Sequence, residues 1–294
     1  MIIARARVIP FKNLAKTKQT SYNKSMKSFT ATKTEKLSKA LLRLYNGALP
    51  YGTLMRLLKN KDVKVNGKRV SKDIALEIGD CIEVYYNGLE RVVKPTLVFE
   101  DSGVFVFNKP SGITSEDFEK TVRLDYPELL LCHRLDRNTS GLIVLANHSA
   151  YEEMLKAFKE RTVDKFYYAE VYGKVTPKSA TLTDYLVKDE VAGIVKIYSQ
   201  NVKGSVKIIT EYQTLEEREE TTLLKVKLVT GKTHQIRAHL AFHGNFIIGD
   251  GKYGVNEVNK RFKAKTQRLT AGELKFNFKT GTPLEKLNGI VVKI

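Results

Sequence analysis

The chain has 294 residues and an ordinary 42% hydrophobic content, enough for one large domain with a full core and a smaller companion. No apolar stretch reaches the length of a membrane span, and the opening MIIARARVIPFK lacks the charged head and apolar centre of a secretion signal. Fifty Lys and Arg against 32 Asp and Glu give a net charge of +18, which calls for a polyanionic partner, either a nucleic acid or an acidic membrane surface.

The excess is segregated. Residues 1–33 hold eight basic residues and no acid, and residues 36–72 hold ten with a single acid, Asp62. Solubility alone does not require such clustering, so cytoplasmic RNA or DNA is the leading partner and no membrane is expected. Residues 1–33 have little periodicity and many Ser, Thr and Lys, which predicts a disordered basic tail. Met26 offers a second start, and the 25 residues before it read either as an upstream extension or as a transit-peptide-like leader. Cys81 and Cys132 lie far apart in apolar contexts, GDCIEV and LLLCHRL, and are expected to be buried free thiols of a reducing compartment.

Residues 34–90 form the first predicted unit. EKLSKALLRLY sets Leu37, Ala40, Leu41 and Leu44 on one helical stripe, and GTLMRLLKN does the same with Leu54, Leu57 and Leu58. VKVNGKRV follows, with Asn66-Gly67 as a hairpin signal, and GDCIEVYY adds another strand. Arg56, Lys59, Lys64, Lys68 and Arg69 cluster on the second helix and the hairpin. This small α/β module resembles the alpha-L RNA-binding motif, or S-four domain, with Lys36 and Lys39 where that family usually has arginine.

From residue 91 to 294 strands dominate: GVFVFNK, GLIVLA, KFYYAEVYGKV, SVKIITEYQTL, TTLLKVKLVT and GIVVKI, with helices expected at YEEMLKAFKER and THQIRAHLAFHG. Strands following strands argue for an α+β domain built on a large mixed, mostly antiparallel sheet. Within it, Gly231-Lys232-Thr233 has the look of a P-loop end, but the required first glycine is Val226, so no phosphate cradle forms. His234, His239 and His243 lie close together without an acid or cysteine at ligand spacing, so hydrogen bonds within the fold are expected and no metal. In KFYY, Tyr167 and Tyr168 alternate, and one of them should face the core or a cleft.

HRLDRNTSGLIVLA, KFYYAEVYG and TGKTHQIRAHLAFHGNFIIGDGKYG resemble, in order and spacing, the signature blocks of the RluA family of RNA pseudouridine synthases, and VFNKPSGITS resembles the block before them. His133 in place of glycine separates the chain from the small-subunit-type sister family. Thr270 stands where the family usually has histidine, and the insert KDEVAGIVKIYSQ shows little pattern.

The resemblance implies a reaction in which uracil is detached from ribose, turned and reattached through carbon, without nucleotide, metal or other cofactor. Asp136 would be the essential carboxylate; attack on the sugar, attack on the base and assistance to a glycal all remain open. Arg237 would favour and orient its charged form, and Tyr167, in the K-x-Y pattern after Lys165, would stack on the uracil or relay its proton. The target base must be flipped out of its stack. Arg134 is expected to fill the gap or hold the displaced strand, with His133, Arg137, Lys165 and Leu240 as further RNA contacts. Ribosomal RNA, in particular that of the large subunit, is the expected substrate, with transfer RNA as the alternative, and the chain is expected to act as a monomer. A non-catalytic RNA-binding factor would use the charge and the first module equally well; only Asp136, Tyr167 and Arg237 discriminate against it.

Overall fold

The structure is a computed structural model that describes residues 26–44, 51–86 and 95–294. They belong to two compact units, divided between residues 93 and 94.

The small unit begins with β1 (Met26–Thr30) and β2 (Glu35–Lys36), then α1 (Leu37–Leu44) and α2 (Tyr51–Lys59). Four strands complete it: β3 (Val63–Val65), β4 (Lys68–Val70), β5 (Ala75–Leu76) and β6 (Cys81–Tyr85). Leu37, Ala40 and Leu41 of α1 and Leu54, Leu57 and Leu58 of α2 are buried against Val63, Ile82 and Val84. Asn66 and Gly67 both take positive φ, 49° and 76°, as a tight hairpin turn between β3 and β4 demands.

The expected tail fails over its last residues: β1 pairs antiparallel with β6 from Met26↔Tyr85 to Thr30↔Cys81. The sequence hid this because backbone hydrogen bonds, not side-chain periodicity, seal the open edge of β6. Residues 1–25 lie outside the described residues. Cys81 also departs from expectation, since it starts β6 on the exposed face, whereas Cys132 is buried and its thiol is pushed up to about 12 by that burial and by Glu119.

The large unit opens with β7 (Thr96–Asp101), β8 (Val104–Lys109), α3 (Ser115–Val122), β9 (Leu130–Leu131), β10 (Ser140–Ala146) and α4 (His148–Glu160). It continues with β11 (Val163–Tyr172), β12 (Ser179–Asp189), β13 (Ile194–Tyr198), β14 (Val206–Glu217), β15 (Thr221–Leu228) and α5 (Gln235–Phe242). α6 (Asn256–Arg261), β16 (Leu269–Phe276) and β17 (Val291–Lys293) close the chain. An eleven-stranded sheet runs in the order β13-β12-β14-β15-β11-β16-β10-β8-β7, with β17 added to β16 and β9 to β10. Every pairing is antiparallel except β10 with β16. The insert without pattern is the β12–β13 hairpin, an edge of the sheet where side chains need not alternate.

The continuous apolar runs of β8 and β10 follow from burial on both faces. Phe105, Phe107, Ile143 and Leu145 enter one core with Phe118 of α3 and Ile236 and Leu240 of α5. Val104, Val106, Leu142 and Val144 enter the other with Met154 and Ala157 of α4. The parallel β10–β16 join is tight. A Cβ on Gly141, at φ 111°, would stand 2.2 Å from the Ala271 carbonyl oxygen, so only glycine fits the TSG block here.

Candidate active site

The loop before β10 carries Asp136, and the VFNKPSGITS segment holds that loop from behind. Lys109 is fully buried and its ammonium donates to the carbonyls of Pro110, Ile113 and Arg137 at 3.0, 2.9 and 3.3 Å. Burial lowers its pKa to about 8 against the raising effect of Asp136. The Ser111 hydroxyl donates to the Asn138 carbonyl, and the Gly112 N–H to that of Arg137. Ser115 grips Leu135 twice, accepting from its N–H and donating to its carbonyl, each at 2.9 Å. The Gln267 amide donates to the Thr139 hydroxyl at 2.6 Å. A loop with its backbone tied at Leu135, Arg137 and Asn138 and its Thr139 hydroxyl held by Gln267 presents its carboxylate in one orientation.

Arg237 reaches that carboxylate from α5. Its Nη1 donates to Asp136 Oδ2 at 2.7 Å, while Nε and Nη2 donate to Oδ2 and Oδ1 of Asp250 at 2.6 and 2.9 Å. Asp250 is 1% exposed and also accepts from the N–H groups of Lys252 and Tyr253. The planar fork thus uses one edge on the fixed carboxylate of Asp250 and turns the remaining nitrogen to Asp136, a division lysine cannot make. Burial opposes the charge of Arg237, but the two carboxylates more than offset it and raise its pKa. Burial likewise acts against the Asp250 charge, and Arg237 holds that carboxyl below its usual range. His234, at φ 54°, hydrogen-bonds the Tyr253 hydroxyl through Nδ1 and points Nε2 to within 3.9 Å of Asp136.

Tyr167 lies on β11 opposite Ala271, which in turn lies opposite Gly141, so adjacent strands bring the tyrosine beside the Asp136 loop. Tyr167 is buried and its neighbour Tyr168 packs against Gly272 on the other face. Its hydroxyl has no hydrogen-bond partner among the described residues and borders a cavity of about 530 Å³ lined also by Asp136, Arg237 and Leu228. That volume is ample for a nucleoside. Burial, reinforced by Asp136, pushes the phenol upward. Arg134, Lys159, Arg161, Lys165 and Lys232 supply positive charge around the same cavity.

The structure therefore unites Asp136, Tyr167, Arg237, Arg134 and Lys165 at one opening, and separates other expected contacts from it. Leu240 is 2% exposed and belongs to the core under the sheet, because its position one turn after Ile236 puts it on the same buried face of α5. Arg137 is exposed and does not line the cavity; its carbonyl, not its guanidinium, takes part in the loop. His133 borders the cavity, yet its Nε2 accepts the Val144 N–H at 3.0 Å and its ring lies 4.5 Å from that of Phe158. Burial, with Lys165, holds it down at about 3. In the small unit Arg56, Lys59, Lys68 and Arg69 are exposed, whereas Lys64 pairs with Glu83 at 3.2 Å. Thr270, the departure noted above, shares a 2.9 Å hydrogen bond with Ser140 across the parallel join.

Sequence reasoning assigned no role to Asp250, Tyr253 or Lys109. All three stand inside the quoted blocks, but a carboxylate 13 residues from its arginine gives no periodic signal. It also missed Asp184 on β12, whose Oδ2 meets His239 Nε2 at 2.9 Å and His243 Nε2 at 2.7 Å. The acid absent at ligand spacing is supplied through the sheet.

A family model described as RNA pseudouridylate synthase matches residues 103–242. The ribosomal large subunit pseudouridine synthase C of Vibrio cholerae is 34% identical over 248 residues, covering 75% of this chain and 76% of its own. Its counterpart in Vibrio parahaemolyticus is 31% identical over 247 residues, with 75% and 76% covered. Among solved structures, human RNA pseudouridylate synthase domain containing 1 superposes with a TM-score of 0.60 at 25% identity, covering 69% of this chain and 84% of its own. With its mixed sheet and its carboxylate at the parallel join, the chain belongs to the RNA pseudouridylate synthase family. It is accordingly an isomerase that converts uridine in RNA to pseudouridine.

Proposed function

We propose that this enzyme modifies uridine in large-subunit ribosomal RNA in the cytoplasm, acting as a monomer with Asp136 as its essential carboxylate. The observation that carries the reading is the 2.7 Å contact between Asp136 and an arginine that Asp250 clamps from the far side. The names of the Vibrio relatives support the choice of RNA. No helix among the described residues is long and apolar enough to cross a membrane.

In this reading the target uridine leaves its stack and enters the cavity, at a cost of a few kcal/mol that phosphate contacts offset. Arg134, with a 77% exposed side chain loosely paired to Glu116, extends to the RNA and fills the space the base has left. Tyr167 keeps its proton at neutral pH, so it supports the uracil ring as an apolar platform with a hydroxyl donor. Arg237 fixes the carboxylate toward the base and sugar, and the bonded loop prevents its retreat. The small unit is an S-four-like RNA-binding module whose exposed Arg56, Lys59, Lys68 and Arg69 contact phosphates.

The test is to map pseudouridine in ribosomal and transfer RNA from cells with and without the enzyme, then to restore single sites with purified wild type and Asp136→Asn. Loss and restoration of a large-subunit position by wild type alone is expected. A site found only in transfer RNA overturns the substrate, and restoration by Asp136→Asn overturns the role of the aspartate.

A further inference from the structure

We propose that Asp184, His239 and His243 form a binding site for one zinc-class transition-metal dication, on the side of α5 away from the RNA cavity. His239 and His243 are one helical turn apart and aim both Nε2 atoms at the same oxygen, Asp184 Oδ2, at 2.9 and 2.7 Å. The three candidate ligand atoms all lie within 4.8 Å of one another. Arg237 stands two positions before His239, about 200° around the helix, so the ion and the catalytic carboxylate occupy opposite faces. Two imidazoles and a carboxylate are a donor set that suits zinc, cobalt or nickel over magnesium or calcium.

The surroundings are those of a metal ligand set. His239 is fully buried, and its Nδ1 lies 2.9 Å from Thr210 Oγ1, which itself accepts from the Gln235 amide at 3.0 Å. With an ion bound, Nδ1–H donates to Thr210 and leaves Nε2 free to coordinate, the outer-shell arrangement that fixes a histidine tautomer. The Asp184 side chain is 7% exposed and that of His243 39%, so an ion enters from the His243 side and water completes its coordination there. A tetrahedral ion at about 2.0–2.1 Å from each ligand separates the ligand atoms by roughly 3.3 Å. The two distances to Asp184 need to widen by roughly half an ångström while the three ligand atoms, all within 4.8 Å of one another, draw around the ion, a movement the exposed His243 ring at the end of α5 can make.

The full-length enzyme, stripped with chelator, is titrated with Co(II) and followed in the visible range. One equivalent should produce ligand-field bands, and Zn(II) should displace them and raise the thermal midpoint. Asp184→Asn and His243→Gln should each abolish the bands, while His243→Gln keeps wild-type pseudouridine formation. His243→Cys should retain binding and add a thiolate-to-cobalt charge-transfer band, which places residue 243 on the ion even if another variant folds poorly. Absence of one-equivalent binding, or bands that persist in both His243→Gln and Asp184→Asn, overturns the proposal and leaves the cluster a hydrogen-bonded brace.

Discussion

In the large unit Arg237 is 6% exposed and commits three guanidinium nitrogens to two carboxylates, whereas in the small unit Arg56, Lys59, Lys68 and Arg69 stand exposed on α2 and β4. Both regions are basic, yet the charges do different work. A buried arginine with two anionic partners is fixed in direction, so it can aim a reacting group to within a fraction of an ångström. Exposed cations, even Arg69 with its hydrogen bond to the Lys61 carbonyl, are not locked between two anions, and they attract phosphate over a distance set by salt. Net charge alone would have lumped the two together. Partner identity and burial separate them.

The largest break in that contrast comes from removing what Arg237 aims. Asp136→Asn keeps the hydrogen bond but loses the negative charge, and single-turnover pseudouridine formation should fall by at least about 10³-fold while RNA affinity stays within about threefold. Arg237→Lys comes next. It keeps the charge but cannot bridge both carboxylates, and a rate loss of about 10²-fold with unchanged affinity is expected. Arg237→Ala is less clean, because it strands Asp250, which is 1% exposed, and costs about 3–5 kcal/mol of stability. If Arg237→Lys reacts at the normal rate but binds RNA weakly, the arginine is a phosphate contact after all.

Much of this was legible before the fold was known, for identifiable reasons. The runs of β8 and β10 and the stripes of α1 and α2 are local, so apolar spacing revealed them. The pairing of Asp136 with Arg237 spans 101 residues and was reached only through resemblance. The partners of Arg237 and His239 that carry no local signal, Asp250 and Asp184, depend on how β12, α5 and the turn after α5 meet. β1 was invisible because its contribution is backbone, and Leu240 was misassigned because a signature block contains core residues as well as working ones.

A smaller effect sharpens the other half of the comparison. Changing Arg56, Lys59, Lys68 and Arg69 together to Gln should weaken RNA binding by about tenfold or more at low salt and flatten the dependence of log affinity on log salt. The choice of uridine should persist if, as proposed, the flipped base is read in the cavity and not by these residues. Binding of one ribosomal RNA fragment at several salt concentrations checks both points. An unchanged slope would remove the small unit from the phosphate-binding surface.

The smallest expected effect concerns His133, which lines the cavity but resembles Arg237 in being committed to the fold. Its Nε2 accepts the Val144 N–H, and burial lowers its pKa from the ordinary 6.5 to about 3. Between pH 6.5 and 3 the unfolded chain binds a proton that the folded one refuses, so this residue makes stability fall as pH falls through that window. The slope is at most about 1.4 kcal/mol per pH unit. His133→Gln keeps an acceptor for Val144 and has no proton to gain. Urea unfolding of both proteins at pH 7.0, 6.0 and 5.0 should therefore show the wild-type advantage shrinking in acid, with RNA affinity at neutral pH the same for both. Parallel stability curves would mean that the ring is protonated without penalty, and a large loss of affinity would return His133 to the RNA contacts first expected of it.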